Sequence, residues 1–226
     1  MAVVDPKLAT NRAAPSIRAQ RKAGNRQKLI EATIDSIAEL GLAGTTVSTV
    51  IERAGLSRGI INLHFDTKEA LLIEVMSTLA EGYFEPWNEI LRDPNRSPAQ
   101  KLVDLQLIQV DPVVTESNRI KAILCYYGDP HYIEIYKQQF GGADLDSLNR
   151  IAEVCGELIR DGGYKGIEKM AAAISIWSVG EGIQPSRNSY PKVFSREACR
   201  AALMLSLNRL FPRHIGPKGE ILTSGA

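Results

Sequence analysis

Apolar residues recur along this chain at intervals of three and four. Leu29, Ile30, Ile34, Ile37 and Ala38, with Thr33 among them, form one stripe, the signature of a helix buried along a single face. The spacing predicts a helix from Gln27 that stops at Gly41, since glycine is common just past a helix end. Thr45-Thr46 offers an N-cap for a second, short helix whose inner face is Val47, Val50, Ile51 and Ala54,. Gly55 ends it. Ser57 can cap a third helix reaching His64, with Ile60, Ile61 and Phe65 as its back. Asp66-Thr67 is a further cap, and Lys68 opens a long helix with the stripe Leu71, Leu72, Val75, Met76 and Leu79.

The rest of the chain reads as longer helices. Glu85-Pro86 and Asp93-Pro94 bracket a separate piece containing Trp87, Ile90 and Leu91. Helical spacing continues over 99–110, 118–127, 132–140, 145–160, 167–183 and 196–211, with a Gly128-Asp129-Pro130 turn and a Gly162-Gly163 stop. Residues 184–195 read as a loop and residues 1–20 as a flexible basic arm. Strand-type alternation and internal repeats are not found. The expected fold is all-α: an N-terminal three-helix unit over 21–68, joined to a larger helical domain over 69–226.

Composition narrows the class. With 44% hydrophobic and 23% charged residues in 226, a folded core is expected,. No apolar run reaches the roughly 20 residues a membrane span requires. Three scattered cysteines, Cys125, Cys155 and Cys199, suggest buried thiols in a reducing compartment, so a cytoplasmic location is expected. The net charge of +1 conceals an asymmetry: residues 1–68 carry 10 Lys and Arg against 6 Asp and Glu, and the remainder 17 against 20. Between Arg12 and Lys28 lie six basic residues and no acidic one. A basic tail alone is as well explained by solvation as by nucleic acid; the helices that follow decide the matter.

Helix two, a glycine turn and a short helix three make a helix-turn-helix, in which the supported second helix can enter the DNA major groove. Gly59 leaves room for close approach. Thr46 and Ser57 sit at helix starts, where hydroxyls and amides can hold phosphates. Arg58 can reach a guanine edge or a phosphate, Asn62 an adenine edge, His64 a base or the backbone, and Lys68 a phosphate.

Taken in order, Gly41-x-x-x-Thr45-Thr46, Ala54-Gly55-Leu56-Ser57-x-Gly59 and Phe65-x-x-Lys68-x-x-Leu71-Leu72 resemble the TetR family of bacterial transcriptional regulators. Within that family the reading helix is most similar to the choline-responsive repressors of glycine-betaine synthesis. It departs from the common pattern at Asn62, where tyrosine is usual. The resemblance implies a homodimer that binds a near-palindromic double-stranded operator through Thr46, Ser57, Arg58, Gly59, Asn62, His64 and Lys68. It also implies a C-terminal domain that takes a small-molecule effector. On that reading the last two long helices pair with their copies, using Met170, Ile174, Trp177 and residues 201–205, with Ala171, Ala172, Ala173, Ser175 and Gly180 permitting close approach. Candidate effector contacts are the aromatics Phe84, Trp87, Tyr126, Tyr127, Phe140 and Trp177, since ring faces attract a quaternary ammonium. Glu181 could balance its charge. An enzyme is the rival class, but no nucleophile elbow, phosphate-binding glycine loop or metal-ligand spacing is found, and no cofactor is expected. Two other regulators remain open: an activator of the same fold, and an effector-free DNA-binding protein.

Overall fold

The computed structural model describes residues 16–111 and 118–222. Within them the chain forms nine helices: α1 (Ile17–Gly44), α2 (Val47–Ala54), α3 (Arg58–Asn62), α4 (Lys68–Arg92), α5 (Pro98–Ile108), α6 (Asn118–Tyr127), α7 (Pro130–Gly162), α8 (Lys169–Ser189) and α9 (Arg196–Leu210). The described residues add a single antiparallel bridge between Ile215 and Ile221, and no longer strand pairing.

Helix α1 begins at Ile17, not Gln27, so the last residues of the expected arm are helical; its residues 1–15 lie outside the described part. Ser16 caps this start by accepting from the Ala19 amide at 3.2 Å. Gly41 acts nearly as expected. Its φ of 71° breaks the helical geometry, and one further turn follows to Gly44. Such a φ suits glycine and few other residues. Buried Thr45 donates its hydroxyl to the Gly41 carbonyl at 2.8 Å, closing the corner.

Helix α2 starts with a capping box. Thr46 Oγ1 accepts from the Thr49 amide at 3.1 Å and the Thr46 amide donates to Thr49 Oγ1 at 2.9 Å, which contributes about 1 kcal/mol. Gly55, with φ 63°, turns the chain into α3. Only Val50 of α2 and Ile61 of α3 are fully buried within those helices. Short helices of this kind are marginal alone; α1 and α4 hold them from behind through Leu29, Ile34, Ile37, Leu71 and Val75.

Helix α4 runs through Pro86, correcting the break expected there. A proline inside a helix costs about 3 kcal/mol. Burying Trp87, Ile90 and Leu91 beyond it contributes about 1.5–3 kcal/mol each, so the continuous helix wins. Pro130 sits at the first position of α7, where its missing amide costs nothing,. Asp129 caps it by accepting from the His131 and Tyr132 amides at 3.0 and 3.3 Å. The helix then continues through Gly141-Gly142, joining the two helices expected over 132–140 and 145–160 into one. Helix α8 likewise extends to Ser189 past Pro185, so only 190–195 remain of the expected loop.

One apolar core surrounds α1–α4 but also takes in Tyr126, Tyr132 and Tyr136. A second lies among α4, α5, α7, α8 and α9. Trp177 packs against both. Helix α6 lies along α1, tied by Asn118 to Asp35 at 2.8 Å and by Arg119 to Glu31 at 2.5 Å.

Candidate nucleic-acid interface and effector cavity

The back of α3 is anchored by Ile61 and Phe65, while Ser57, Arg58, Gly59 and Asn62 are exposed on its front. Thr46 is exposed at the start of α2; His64 and Lys68 are half-buried at the far edge of the face. The seven residues expected to face DNA thus lie on or beside α2 and α3 and at the start of α4. Thr46 performs the expected capping. Ser57 does not: it occupies the N-cap backbone position of α3 but makes no side-chain cap bond. Among the described residues a β-carbon on Gly59 would meet only Ser57 Oγ, at 3.9 Å, which leaves room at this position of α3.

The amino end of α1 flanks this face. Arg26 lies over the Phe65 ring at 5.2 Å and pairs with Glu74 at 2.7 Å. His64 is held below its ordinary 6.5, first by desolvation, then by the charges of Lys22 and Arg26. Leu63, next to Asn62, is 69% exposed. Its apolar side chain on the front of the unit escapes a sequence reading, because burial is the expectation for every leucine.

A cavity of about 210 Å³ lies between α4, α6 and α8, lined by Tyr83, Ile120, Ile123, Leu124, Tyr127 and Glu181 among others. A smaller recess of about 20 Å³ continues inward past Tyr83, Ile123 and Tyr127 to Phe84, Tyr126 and Tyr136. Of the six candidate aromatics, Phe84, Tyr126 and Tyr127 therefore line the space. The other three stand behind it. Trp87 is buried against Trp177 at 5.4 Å, and its Nε1 has no hydrogen-bond partner among the described residues. Trp177 stacks on Phe84 at 6.4 Å, and Phe140 packs on Tyr136 at 5.4 Å. None of these three lines either space.

Tyr83 is a cavity residue that the sequence candidates omit. It continues the α4 stripe through Met76 and Leu79, and carrying that stripe on toward Pro86 would have found it. Its hydroxyl donates to Glu181 at 2.6 Å, and Gln109 Nε2 reaches the same oxygen at 3.3 Å. Burial raises the Glu181 carboxyl, with the Asp144 charge adding to the rise and the Tyr83 bond opposing it. Tyr83 is pushed well above 10, first by burial, then by Glu181. On the far side Tyr136 donates to Asp144 at 3.0 Å. The space is thus ringed by phenols and approached by two carboxylates. Gly180 and two of the alanines expected at a dimer face point inward instead. Ala172 and Ala173 are buried, and Gly180 lets Gln106 and Gln109 approach to about 3.3 Å of its β-carbon position.

A preformed helix-turn-helix on an all-α body, with a cavity along the helix that follows it, defines a DNA-binding regulator of transcription. Residues 29–75 match the family described as "Bacterial regulatory proteins, tetR family". Over 155 residues the chain is 30% identical to the HTH-type transcriptional regulator BetI of Klebsiella pneumoniae (strain 342), covering 67% of this chain and 80% of that protein. This chain belongs to the TetR family and is a transcriptional regulator, not an enzyme. Solved structures share its fold. A transcriptional regulator from Pseudomonas aeruginosa PAO1 aligns with a TM-score of 0.68 at 20% identity, over 92% of this chain and 97% of that one. SmeT, the repressor of the Stenotrophomonas maltophilia multidrug efflux pump SmeDEF, aligns with 0.62 at 18%, over 89% and 96%.

Proposed function

We propose that the protein is a cytoplasmic homodimeric repressor, released from a near-palindromic operator by a small cationic effector. The observation that carries this reading is the geometry of α4. Its first residue, Lys68, stands at the DNA-facing end, and Tyr83 and Phe84 on the same helix line the cavity.

On this reading Arg58 and Asn62 meet base edges, Gly59 admits the groove wall, and Thr46, Ser57, His64 and Lys68 meet phosphate or base. The dimer forms through α8 and α9, where Ile174, Val179 and Leu205 are 49%, 37% and 51% exposed. These replace the inward-facing Ala172, Ala173 and Gly180 of the sequence expectation. Tyr83, Tyr127 and the carboxylate of Glu181 supply ring faces and charge for an ammonium group. The effector favours an arrangement of α4 and α6 that mis-spaces the two reading helices, so effector and operator oppose each other. Tenfold release needs only about 1.4 kcal/mol of coupling.

The test is selection of duplexes from a random DNA pool, followed by titration of the winners with tetramethylammonium and longer amines. A two-fold symmetric consensus whose binding weakens with an amine is expected. An asymmetric or absent consensus overturns the dimeric reading, and an operator affinity indifferent to every amine overturns the effector class.

A further inference from the structure

Beyond Asn62 the chain stays helical. The Leu63 amide donates to the Ile60 carbonyl at 3.1 Å and the Phe65 amide to the Ile61 carbonyl at 2.9 Å, and Leu63 keeps φ −78° and ψ −13°. The side chains of 58–65 therefore fan out at about 100° per residue. Ile61 and Phe65 are buried and mark the back of the unit. Leu63 lies two residues from each, about 200° around the axis from either, so it points straight away from the core that holds α3. Its side chain is 69% exposed and belongs to neither apolar core. Gly59, one turn earlier, is its neighbour on that face. Leu63 does not fill the glycine's space: among the described residues only Ser57 Oγ lies within 4 Å of the β-carbon position.

A lone exposed leucine is ordinary on most surfaces. Here the exposed side chains around it, Ser57, Arg58 and Asn62, are all polar, and with Gly59 they form the front that a helix-turn-helix turns toward DNA. Leucine brings neither a donor nor an acceptor to that front. Set against a phosphate, it would strip water from the oxygens and return no bond. The floor of the major groove offers one apolar group, the 5-methyl of thymine. We infer that Leu63 is a specificity-determining residue that packs on a thymine methyl, so that the operator carries a T·A pair opposite it. This rests on the reading in which α3 enters the groove front-on, and it adds to the hydrogen-bonding residues Arg58 and Asn62 a contact that recognises shape and apolarity alone.

The experiment uses the duplex that the full chain selects from a random pool, with its thymines replaced one at a time by uracil, which removes the methyl and leaves base pairing unchanged. Affinities of the wild type, Leu63→Ala and Arg58→Ala are read by fluorescence anisotropy, with circular dichroism to confirm that each variant is folded. The wild type is expected to lose about three- to fivefold at one thymine of each half-site, the worth of one buried methyl. Leu63→Ala should lose at least as much on the unmodified duplex and then be indifferent to uracil at that position, so that both changes together cost no more than Leu63→Ala alone. A 5-methylcytosine·G pair there should bind the wild type better than a plain C·G pair, with the preference gone in Leu63→Ala. Additive losses at every thymine, or a Leu63→Ala variant that binds the duplex as tightly as the wild type, overturn the methyl contact. Arg58→Ala separates the two ways of failing. If it weakens binding while the losses at Leu63 and uracil are additive, α3 docks and Leu63 reads nothing. If neither substitution changes affinity, the docking of α3 falls together with the methyl contact.

Discussion

The candidate reading face and the candidate effector cavity place their polar groups oppositely. At the face, polar side chains stand outside a dry core, and the bonds that shape it are local: Thr46 with Thr49, Thr45 with Gly41, Thr67 with the Ala70 amide. In the cavity the polar groups are inside, and their bonds join distant helices: Tyr83 to Glu181, Gln184 Nε2 to the Gln109 carbonyl at 2.8 Å, Gln106 Nε2 to the Ile176 carbonyl at 2.8 Å. Local bonds fix a shape within a few residues and leave it unchanged when a ligand arrives elsewhere. Long-range bonds between helices break or re-form when a ligand enters, and that makes helix positions depend on occupancy. The first region is built to be preformed, the second to be adjustable.

The sharpest break of this contrast is Gly59→Leu. The β-carbon site is open and no left-handed φ is required there, and leucine favours helix over glycine by roughly 0.5–1 kcal/mol. Stability should hold or rise while operator affinity falls more than about a hundredfold, some 2.7 kcal/mol. Near-normal binding, with unchanged circular dichroism, would mean that α3 does not dock front-on. Arg58→Ala follows in size. If Arg58 grips a base edge through two hydrogen bonds, its removal costs about 1–3 kcal/mol and relaxes selectivity at one position. If it meets only a phosphate, its removal weakens all sequences alike. Fluorescence anisotropy across single-base operator variants separates the two.

These residues are legible in the sequence because the unit that positions them is contiguous. Caps, glycine turns and stripes within 27–76 specify it without reference to the remainder. The cavity is half legible for the opposite reason. Its wall is assembled from α4, α6 and α8, and Tyr83 meets Glu181 across 98 positions of sequence. A local rule assigns Pro86 a break; the burial of Trp87, Ile90 and Leu91 overrides it, and no local pattern weighs that burial. The same override carries α7 through Gly141-Gly142, whose cost of about 1 kcal/mol each is small beside the burial of Tyr136 before them and Ile151 after. Aromatic residues can be named as candidates from sequence, but which rings face space and which face other rings is decided by packing between helices.

Glu181→Gln tests the adjustable region. Amine binding should weaken by about tenfold, and the pH dependence of folding should change. The Glu181 carboxyl is raised above 4.5 by burial. A carboxyl with a higher pKa folded than unfolded favours folding below about 4.5, and that advantage disappears as pH rises through the raised value. Urea titrations stepped upward from pH 4.5 should show the wild type losing stability relative to Glu181→Gln, with Asp144, also raised by burial, contributing to the decline in both. Parallel curves would mean the carboxyl is solvated.

A smaller effect is expected where the two regions meet. Helix α6 lines the cavity with Ile120, Ile123, Leu124 and Tyr127 while it holds α1 through Asn118 and Arg119. It joins α4 as a second connection between cavity and face, one the sequence does not suggest. The Arg119–Glu31 pair is 42% exposed on each side, so its loss should cost at most about 1 kcal/mol of stability. Arg119→Ala should instead reduce the coupling between amine and operator by about 0.5 kcal/mol, two- to threefold. If the amine shifts operator affinity equally in both proteins, α4 carries the coupling alone.

The smallest effect on sequence preference is at the amino end of α1. Arg18, Arg21 and Lys22 are exposed on its first turns, and Lys22 is near enough to help depress His64. These cations are therefore held beside the reading face by a helix rather than trailing from it. Each that meets a phosphate contributes close to one unit to the slope of log affinity against log salt. Arg21→Gln/Lys22→Gln should lower that slope by about two units and leave the consensus unchanged. In the DNA-free protein the same substitution should raise the His64 pKa toward 6.5, read by NMR titration of its ring protons, because one of the two charges opposing its protonation is gone. A His64 shift with an unaltered salt slope would place Lys22 at the histidine but the first turns of α1 away from the phosphates, leaving the contact to the α2–α3 unit and the start of α4.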